Sequence, residues 1–569
     1  MAECEWVGGA GPRGAMLALL LGMAASCSFN ADGIGPVRFD GGPDTGIITD
    51  GGADATDGPP GVTFPVEVEI QAETDGVVRS TPAGLDCMTR CTHAFAANEA
   101  VTLTATASGG RQFLGWGTDC TGNVPCTLTV SGPRKVTARF GRSGTHLWSV
   151  AGGGAGAADT GMDVEVDARG DVFVAGQVFG TGDFGAGPTS DRGSGDAFVA
   201  KFSAAGELLW LRRFGGVGND VAEALALAPG GDIYVVGQVQ YDVDFGAGVR
   251  TGDFLSDGFI ARYSGATGAL VWVTRLGASL TAVAYDVAAT STGAVVAGTF
   301  AGTASFDGQM ATAQLGFDPY LATVSSSGAV TALRAMPGSG GTDLALGIAV
   351  DGADNVVVVG SFEGSIDLGG GMLTTAGAYD MFIARYLASG AHDWSSRYGG
   401  PGGDMASAVA MDGAEPVVVG QIGSGIGVGG MALPSNGGFD MFVARYSSAG
   451  AHQWSRSFGG SGAEDELSSV QVGTGGTILA TGRFIGNVDF GTGNINAGAQ
   501  PDVVALGFTA AGARLWVRSF GGNMSDAGRG IAPLGDSFVL TGTKTGMVDF
   551  GGGNLIDMQR NVFVARLKP

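Results

Sequence analysis

Six aspartates keep a beat along this chain: Asp159, Asp220, Asp343, Asp404, Asp465 and Asp526, at steps of 61 residues, or 123 across one odd slot held by Thr281. Each follows a loop of the form G-G-x-x-x or its close variant. Two chemistries suit them. Carboxylates gathered around one mouth of a ring would offer hard oxygen ligands to a cation such as calcium. A carboxylate that accepts backbone N–H groups of its own glycine loop is instead a turn cap. Converging carboxylates repel, whereas caps turned into their own loops do not, so the cap is expected and no metal or other cofactor is favoured.

A second set, Asp196, Asp257, Asp318, Asp380, Asp440 and Asp502 with Asn561 in the last slot, stands just before runs such as F-V-A-K and F-I-A-R. Exchange of Asp for Asn suits a strand-entry turn better than a catalytic acid. Lys201, Arg262, Arg385, Arg445 and Arg566 follow on the same strands and are expected to form local surface pairs of little energetic weight. An enzyme built on repeats must break their symmetry to converge different groups on one point. The chain has four histidines, and His392 and His452 occupy equivalent turns. No Ser-His-Asp set, histidine metal cluster or phosphate-cradling glycine motif stands out. Glu223, Glu363, Glu464 and Glu466 do interrupt the pattern, and a glycosidase-type carboxylate pair stays open. No catalytic residue is assigned.

The elements that carry these residues are written in a longer beat. Tryptophan recurs at Trp148, Trp210, Trp272, Trp394, Trp454 and Trp516, with Leu333 in the missing slot, and a glycine recurs from Gly176 to Gly542 in phase with it. The second unit reads W-L-R-R-F-G-G, then N-D-V-A-E-A-L-A-L-A, then D-I-Y-V-V-G, then D-G-F-I-A-R-Y. These are four strand-like runs separated by turn residues. Seven units of four strands predict a seven-bladed β-propeller over residues 145–569. The small-residue strand is expected at the crowded axis and the Trp strand outermost, its tryptophans packing between blades. The array opens on a Trp strand alone and closes on N-V-F-V-A-R-L, so the strand around Trp148 is expected to complete the last blade. The W-x-R-x-F-G-G, V-V-V-G and D-M-F-I-A-R-Y runs resemble the bacterial SBBP-type beta-propeller repeat, with Leu333 and Gly507 as departures.

Cys87, Cys91, Cys120 and Cys126 lie within forty residues, and no cysteine follows them. An even cluster in an exported chain reads as two disulfides; the local pairs are favoured among three connectivities, with zinc as the other reading. Around them, V-E-V-E-I, V-T-L-T-A-T and V-T-A-R-F alternate as half-buried strands. With F-L-G-W-G and C-T-G-N-V-P-C, the stretch 63–141 resembles a divergent internalin-type B-repeat. That resemblance implies a small β domain used as a spacer or adhesive module. Trp116 is expected in its core, with sugar stacking as the other reading.

Residues 1–27 combine Arg13, an apolar run from Met16, and small residues before Cys27. They resemble a lipoprotein signal in which Cys27 would take the lipid; a plain secretory signal is the alternative. Residues 28–62 hold six aspartates among Gly, Pro and Thr, and read as a disordered tether. The formal charge of −24, with no basic cluster in the sequence, argues against nucleic acid and against direct anionic-membrane contact. The expectation is an exported, monomeric outer-membrane or cell-surface lipoprotein whose propeller binds or scaffolds protein or polysaccharide. Secreted or periplasmic residence is the alternative location. An exported polysaccharide hydrolase or lyase, and a purely structural envelope protein, are the alternative functions.

Overall fold

The computed structural model describes residues 62–569, apart from 72–75, 108–110, 121–124, 143–145, 155–157, 253–254, 424, 462–463 and 492–493. The expectations for the leader, for Cys27 and for the tether lie outside the described residues, save Val62.

The first β region folds as two four-stranded sheets. Thr63–Gln71 is central in one, antiparallel to Arg90–Ala96 and parallel to Arg134–Arg142. Its alternation separates Val66 and Val68, both fully buried, from Glu67 and Glu69, which pair with Arg90 and Lys135. Burying such a valine contributes about 1.5–3 kcal/mol. Trp116 lies in this core against Phe113, ring centroids 4.7 Å apart. Cys87 is bonded to Cys91 and Cys120 to Cys126, with Cα atoms 5.6 and 6.0 Å apart. The local pairing is therefore the one present, and the four sulfurs are not available to zinc.

The remaining array is all-β and propeller-like. Seven antiparallel sheets share one strand order, in which each leading strand pairs with the second, the second with the third, and the third with the Trp strand. The second sheet is typical: Val221–Leu227, Ile233–Gln240, Ser256–Tyr263 and Leu270–Ala278. The seventh draws its fourth strand from the start of the array, where His146–Gly154 lies antiparallel to Asn554–Leu567 with Trp148 opposite Arg566. Leading strands pack side by side from Thr160–Val166 through to Ala527–Leu534, and the last packs against the first. Small residues on them, as in V-A-E-A-L-A-L, permit that approach. The second strands, such as Val356–Phe362, are buried on both faces, which is why they read as continuous apolar runs.

The glycine of the beat has a specific cause. Every leading strand carries a β-bulge, for example between Ala222 and Ala224 and between Leu467 and Ser469. At the bulge, a leading-strand carbonyl occupies the place a Cβ would take on the facing second strand: Val221 O at Gly237, Met405 O at Gly420, Glu466 O at Gly482. All seven glycines, Gly176 to Gly542, meet the same carbonyl.

Adjacent sheets are joined at a shared acceptor. The turn between the third and fourth strands of one sheet offers a carbonyl to the preceding sheet, which supplies two donors. Gly265 O accepts Lys201 Nζ at 3.1 Å and Trp210 Nε1 at 3.3 Å. Ser326 O accepts Arg262 and Trp272, Ser448 O accepts Arg385 and Trp394, and Ala510 O accepts Arg445 and Trp454. Ala204 O accepts Arg566 and Trp148, which joins the seventh sheet to the first. The tryptophans thus pack between sheets. The expectation of weak surface pairs for the basic residues is corrected: Lys201, Arg385 and Arg445 are 3%, 8% and 7% exposed. Each is held by carboxylates of its own sheet as well, Lys201 by Asp171 at 2.8 Å and Arg385 by Asp351 at 2.8 Å. The seams from third to fourth and from sixth to seventh lack this arrangement, because Leu333 and Gly507 stand where Trp and the basic residue stand elsewhere.

Candidate functional site

The first aspartate set sits at the entry to the leading strands, where five of the six carboxylates each join two backbone segments of the array. Asp220 accepts the N–H of Gly216 at 2.8 Å and of Gln240 at 2.9 Å. Asp159 does so with Gly154 and Phe179, Asp404 with Gly400 and Gly423, Asp465 with Gly460 and Ile485, and Asp526 with Gly522 and Thr545. Asp343 accepts Glu363 N at 2.8 Å. All six are buried. Burial outweighs these N–H groups and pushes Asp220 and Asp465 up to about 6, and Asp343 and Asp526 up to about 7. The ladder places Ala282 opposite Phe300 as Asp404 stands opposite Ile422, so the odd slot belongs to Ala282 rather than Thr281. Thr281 Oγ1 instead donates to Ser256 O at 3.2 Å. Among the described residues no group of three or more His, Cys, Asp or Glu has metal-holding geometry.

The second set caps the entry to the third strands. Asp196 Oδ2 accepts Arg192 N at 3.0 Å, and Asp440 Oδ2 accepts Asn436 N at 2.7 Å. Three of the set also pair with an arginine three residues past the tryptophan: Asp196 with Arg213, Asp257 with Arg275, and Asp380 with Arg397. The histidines are equally repetitive. His146, His392 and His452 each share a hydrogen bond with a serine three residues on, at 3.0 Å. Such repetition marks them as parts of the scaffold.

Symmetry breaks at the bulges. The residues turned out of the ladder are Met162, Glu223, Tyr285, Leu346, Ser407, Ser468 and Arg529, almost all different. A bulge re-aims a side chain, and here side chains of neighbouring leading strands meet. On one arc Val283, Tyr285 and Leu346 form an apolar cluster backed by Leu344 and Met405. On the other, Arg529 of the seventh sheet reaches Glu466 of the sixth at 3.3 Å. Arg483, which follows the beat glycine of the sixth sheet, holds Glu466 and Glu464, both at 3.1 Å. Arg560 stands where the seventh sheet meets the first, its carbonyl accepting Asp159 N at 3.2 Å; desolvation and the charge of Arg483 lower its guanidinium, and Asp159 opposes them. Deeper along the leading strands Gln471 Nε2 donates to Glu165 Oε1 at 3.1 Å, linking the sixth sheet to the first. Burial, with Asp163 and Asp286 adding to it, pushes Glu165 up to about 8.

Of the symmetry-breaking acids read from the sequence, Glu464 and Glu466 meet on Arg483, and the others are spread over different sheets. Glu223 belongs to the second sheet, Glu363 follows the second strand of the fourth, and Glu464 and Glu466 are engaged by arginines of the sixth and seventh. Sequence reasoning missed Arg483, Arg529 and Arg560. Their signal was present in the beat. Arg483 shares its slot with Gln177, Gln238, Thr299, Ser361, Gln421 and Thr543, and Arg560 with Gly195, Ser256, Phe317, Tyr379, Phe439 and Pro501.

No curated protein matches the chain. Among solved structures, Sqt1 from Chaetomium thermophilum is 10% identical with a TM-score of 0.38, over 75% of this chain and 100% of that one. Quinohemoprotein alcohol dehydrogenase ADHIIG from Pseudomonas putida HK5 is 9% identical with a TM-score of 0.33, over 75% and 76%. Rhamnogalacturonan lyase YesW is 12% identical with a TM-score of 0.28, over 88% and 89%. Likeness at this level carries nothing about activity. One segment has a family of its own: residues 66–144 match the divergent InlB B-repeat domain.

Proposed function

We propose that this chain is an exported, lipid-anchored cell-surface protein in which residues 145–569 form a closed seven-bladed β-propeller of the SBBP type, acting as a binding or scaffold module for protein or polysaccharide. The observation that carries the reading is the division of labour in the array. Caps, glycines and seam carbonyls recur from sheet to sheet, while chemically distinct residues are concentrated at the bulges and beside them. That is how a rigid scaffold presents one binding surface. Two local disulfides suit an oxidising compartment. Catalysis is disfavoured by the engagement of Glu464 and Glu466 with Arg483 and Arg529, which removes the free carboxylates a glycosidase pair needs.

The purified full chain, screened against polysaccharides and surface proteins, is expected to bind without turnover. Turnover that disappears in Glu223→Gln or Glu464→Gln would sink this reading in favour of an enzyme. For the anchor, fatty-acid labelling in cells is expected to vanish in Cys27→Ala, and unchanged labelling overturns it.

A further inference from the structure

At five of the six entry caps a basic side chain of the array stands near the carboxylate. The charge of Arg275 acts on Asp220, that of Arg397 on Asp404, Arg483 on Asp465 and Lys544 on Asp526, and Arg560 feels Asp159. Asp343 has no such neighbour: the charges that act on it are those of Asp318 and Glu363, and both raise it. The sequence supplies the reason. Three residues past the tryptophan, Arg213, Arg275 and Arg397 pair with Asp196, Asp257 and Asp380. In the third sheet that slot holds Met336, so Asp318 is left to two backbone donors, Gln314 N at 2.9 Å and Gly338 N at 3.2 Å. Asp343 Oδ1 accepts Glu363 N, but Asp343 Oδ2 is fully buried and has no hydrogen-bond partner. The Glu363 carboxylate lies over Gly341, and among the described residues it has no hydrogen bond or ion pair. Three carboxylates thus gather at the join of the third and fourth sheets without a cation.

The walls around Glu363 are apolar. Phe362 stands opposite Asp380 in the ladder, which brings Glu363 beside Tyr379. Phe317 N donates to Gly341 O at 3.2 Å, and Leu315, 63% exposed, lies against Gly340. Phe317, Tyr379 and Glu363 are half-buried, so this cluster reaches the surface. The three carboxylates do not converge as metal ligands do. Acceptors offered singly by separate carboxylates suit a compact cation with three donors better than a planar fork. Aromatic and aliphatic walls suit a methylene stem behind that cation. The net charge of −24 draws a basic partner and repels an acidic one. Building on the binding-module reading, we propose that the join of the third and fourth sheets takes a lysine side chain of a partner protein, its ammonium on Glu363 with Asp343 behind, and its stem along Leu315, Phe317 and Tyr379. The ligand supplies the cation that Met336 withholds.

Fluorescence anisotropy of the full chain with a labelled Gly-Ser peptide carrying one lysine tests the assignment, with the Nε-acetylated peptide as control. The lysine peptide is expected to bind at least tenfold more tightly than its acetylated form, and the difference to shrink with salt. Glu363→Gln is expected to remove that preference at an unchanged melting temperature, because its carboxylate has no partner to lose. Glu207→Gln, which deletes the same charge from a turn of the first sheet, is expected to leave the preference intact. Equal binding of the two peptides overturns the proposal. So does a preference that survives Glu363→Gln, or one that is lost equally in Glu207→Gln. Tighter binding of glucosamine than of the lysine peptide overturns the protein partner. A chain that holds a glycan or a protein but ignores the lysine peptide overturns the lysine site and leaves the binding-module reading standing. Turnover of a glycan removes that reading, while the Glu363→Gln titration still decides the contact.

Discussion

At the scale of single residues, the most informative atoms are the carbonyls that join the sheets. Ser448 O accepts both Trp394 Nε1 at 2.9 Å and Arg385 Nη1 at 2.5 Å, whereas Trp516 stacks on Phe538 with rings 9° apart. Trp394→Phe therefore loses a hydrogen bond as well as ring area, and Trp516→Phe loses area alone. The difference between them, in urea unfolding, is expected to be about 1 kcal/mol, the net value of one such bond. Equal losses would mean that the indole donors contribute nothing. The beat residues were legible in the sequence because each repeats, and repetition is visible in one chain. The roles of Lys201 and its counterparts were not, since the partner carbonyl lies 64 residues away in the next sheet and a backbone oxygen leaves no mark on composition. Arg483 and Arg529 were passed over for the opposite reason: a residue that occurs once at a slot looks like drift until its neighbours are placed.

The scale of the element is governed by the bulged leading strand. Its inward carbonyl fixes glycine opposite, so Gly420→Ala is expected to destabilise by about 1–3 kcal/mol, the usual cost of overpacking. Gly413→Ala, at φ +64° with open space around it, tests backbone strain without the clash. Melting temperatures of the two variants check this, and a smaller loss at Gly420 would remove the steric reason for the beat. The caps at the strand entries set the pH response. Asp343 and Asp526 sit near 7 and Glu165 near 8 in the folded state, above ordinary carboxylates. The folded chain then holds more protons than the unfolded one, so stability falls as pH rises through these values. Half-buried His146 and His452, lowered by desolvation, act the other way on the acid side of 6.5. Between about pH 6.5 and 8 the melting temperature is expected to fall, and the slope to flatten in Asp343→Asn/Asp526→Asn. A flat wild-type profile would show that the N–H caps keep these carboxylates ionised. The four-strand unit and its turns were readable from alternation and glycine spacing; the bulge was not, because one extra residue in a strand leaves the apolar pattern on both sides intact.

On the whole-molecule scale, the first strand of the array is the fourth strand of its last sheet, so local contacts alone cannot complete the fold. Val150→Pro, opposite Val564, removes a ladder donor and is expected to unfold the seventh sheet at lower denaturant than the rest. A single cooperative transition, shifted only slightly, would argue that the closing strand is dispensable. Hydrogen exchange on the wild-type chain can follow the same seam without mutation. Five seams are riveted by a carbonyl with two donors, and two are not. The rivets divide the molecule into two arcs, one from the seventh sheet through the third and one from the fourth through the sixth. Arg483, Glu466 and Arg529 lie where those arcs meet on one side. The Arg529–Glu466 ion pair is a clasp between those arcs at a seam without a rivet, so its loss would be felt as slackness across the array rather than as a local change.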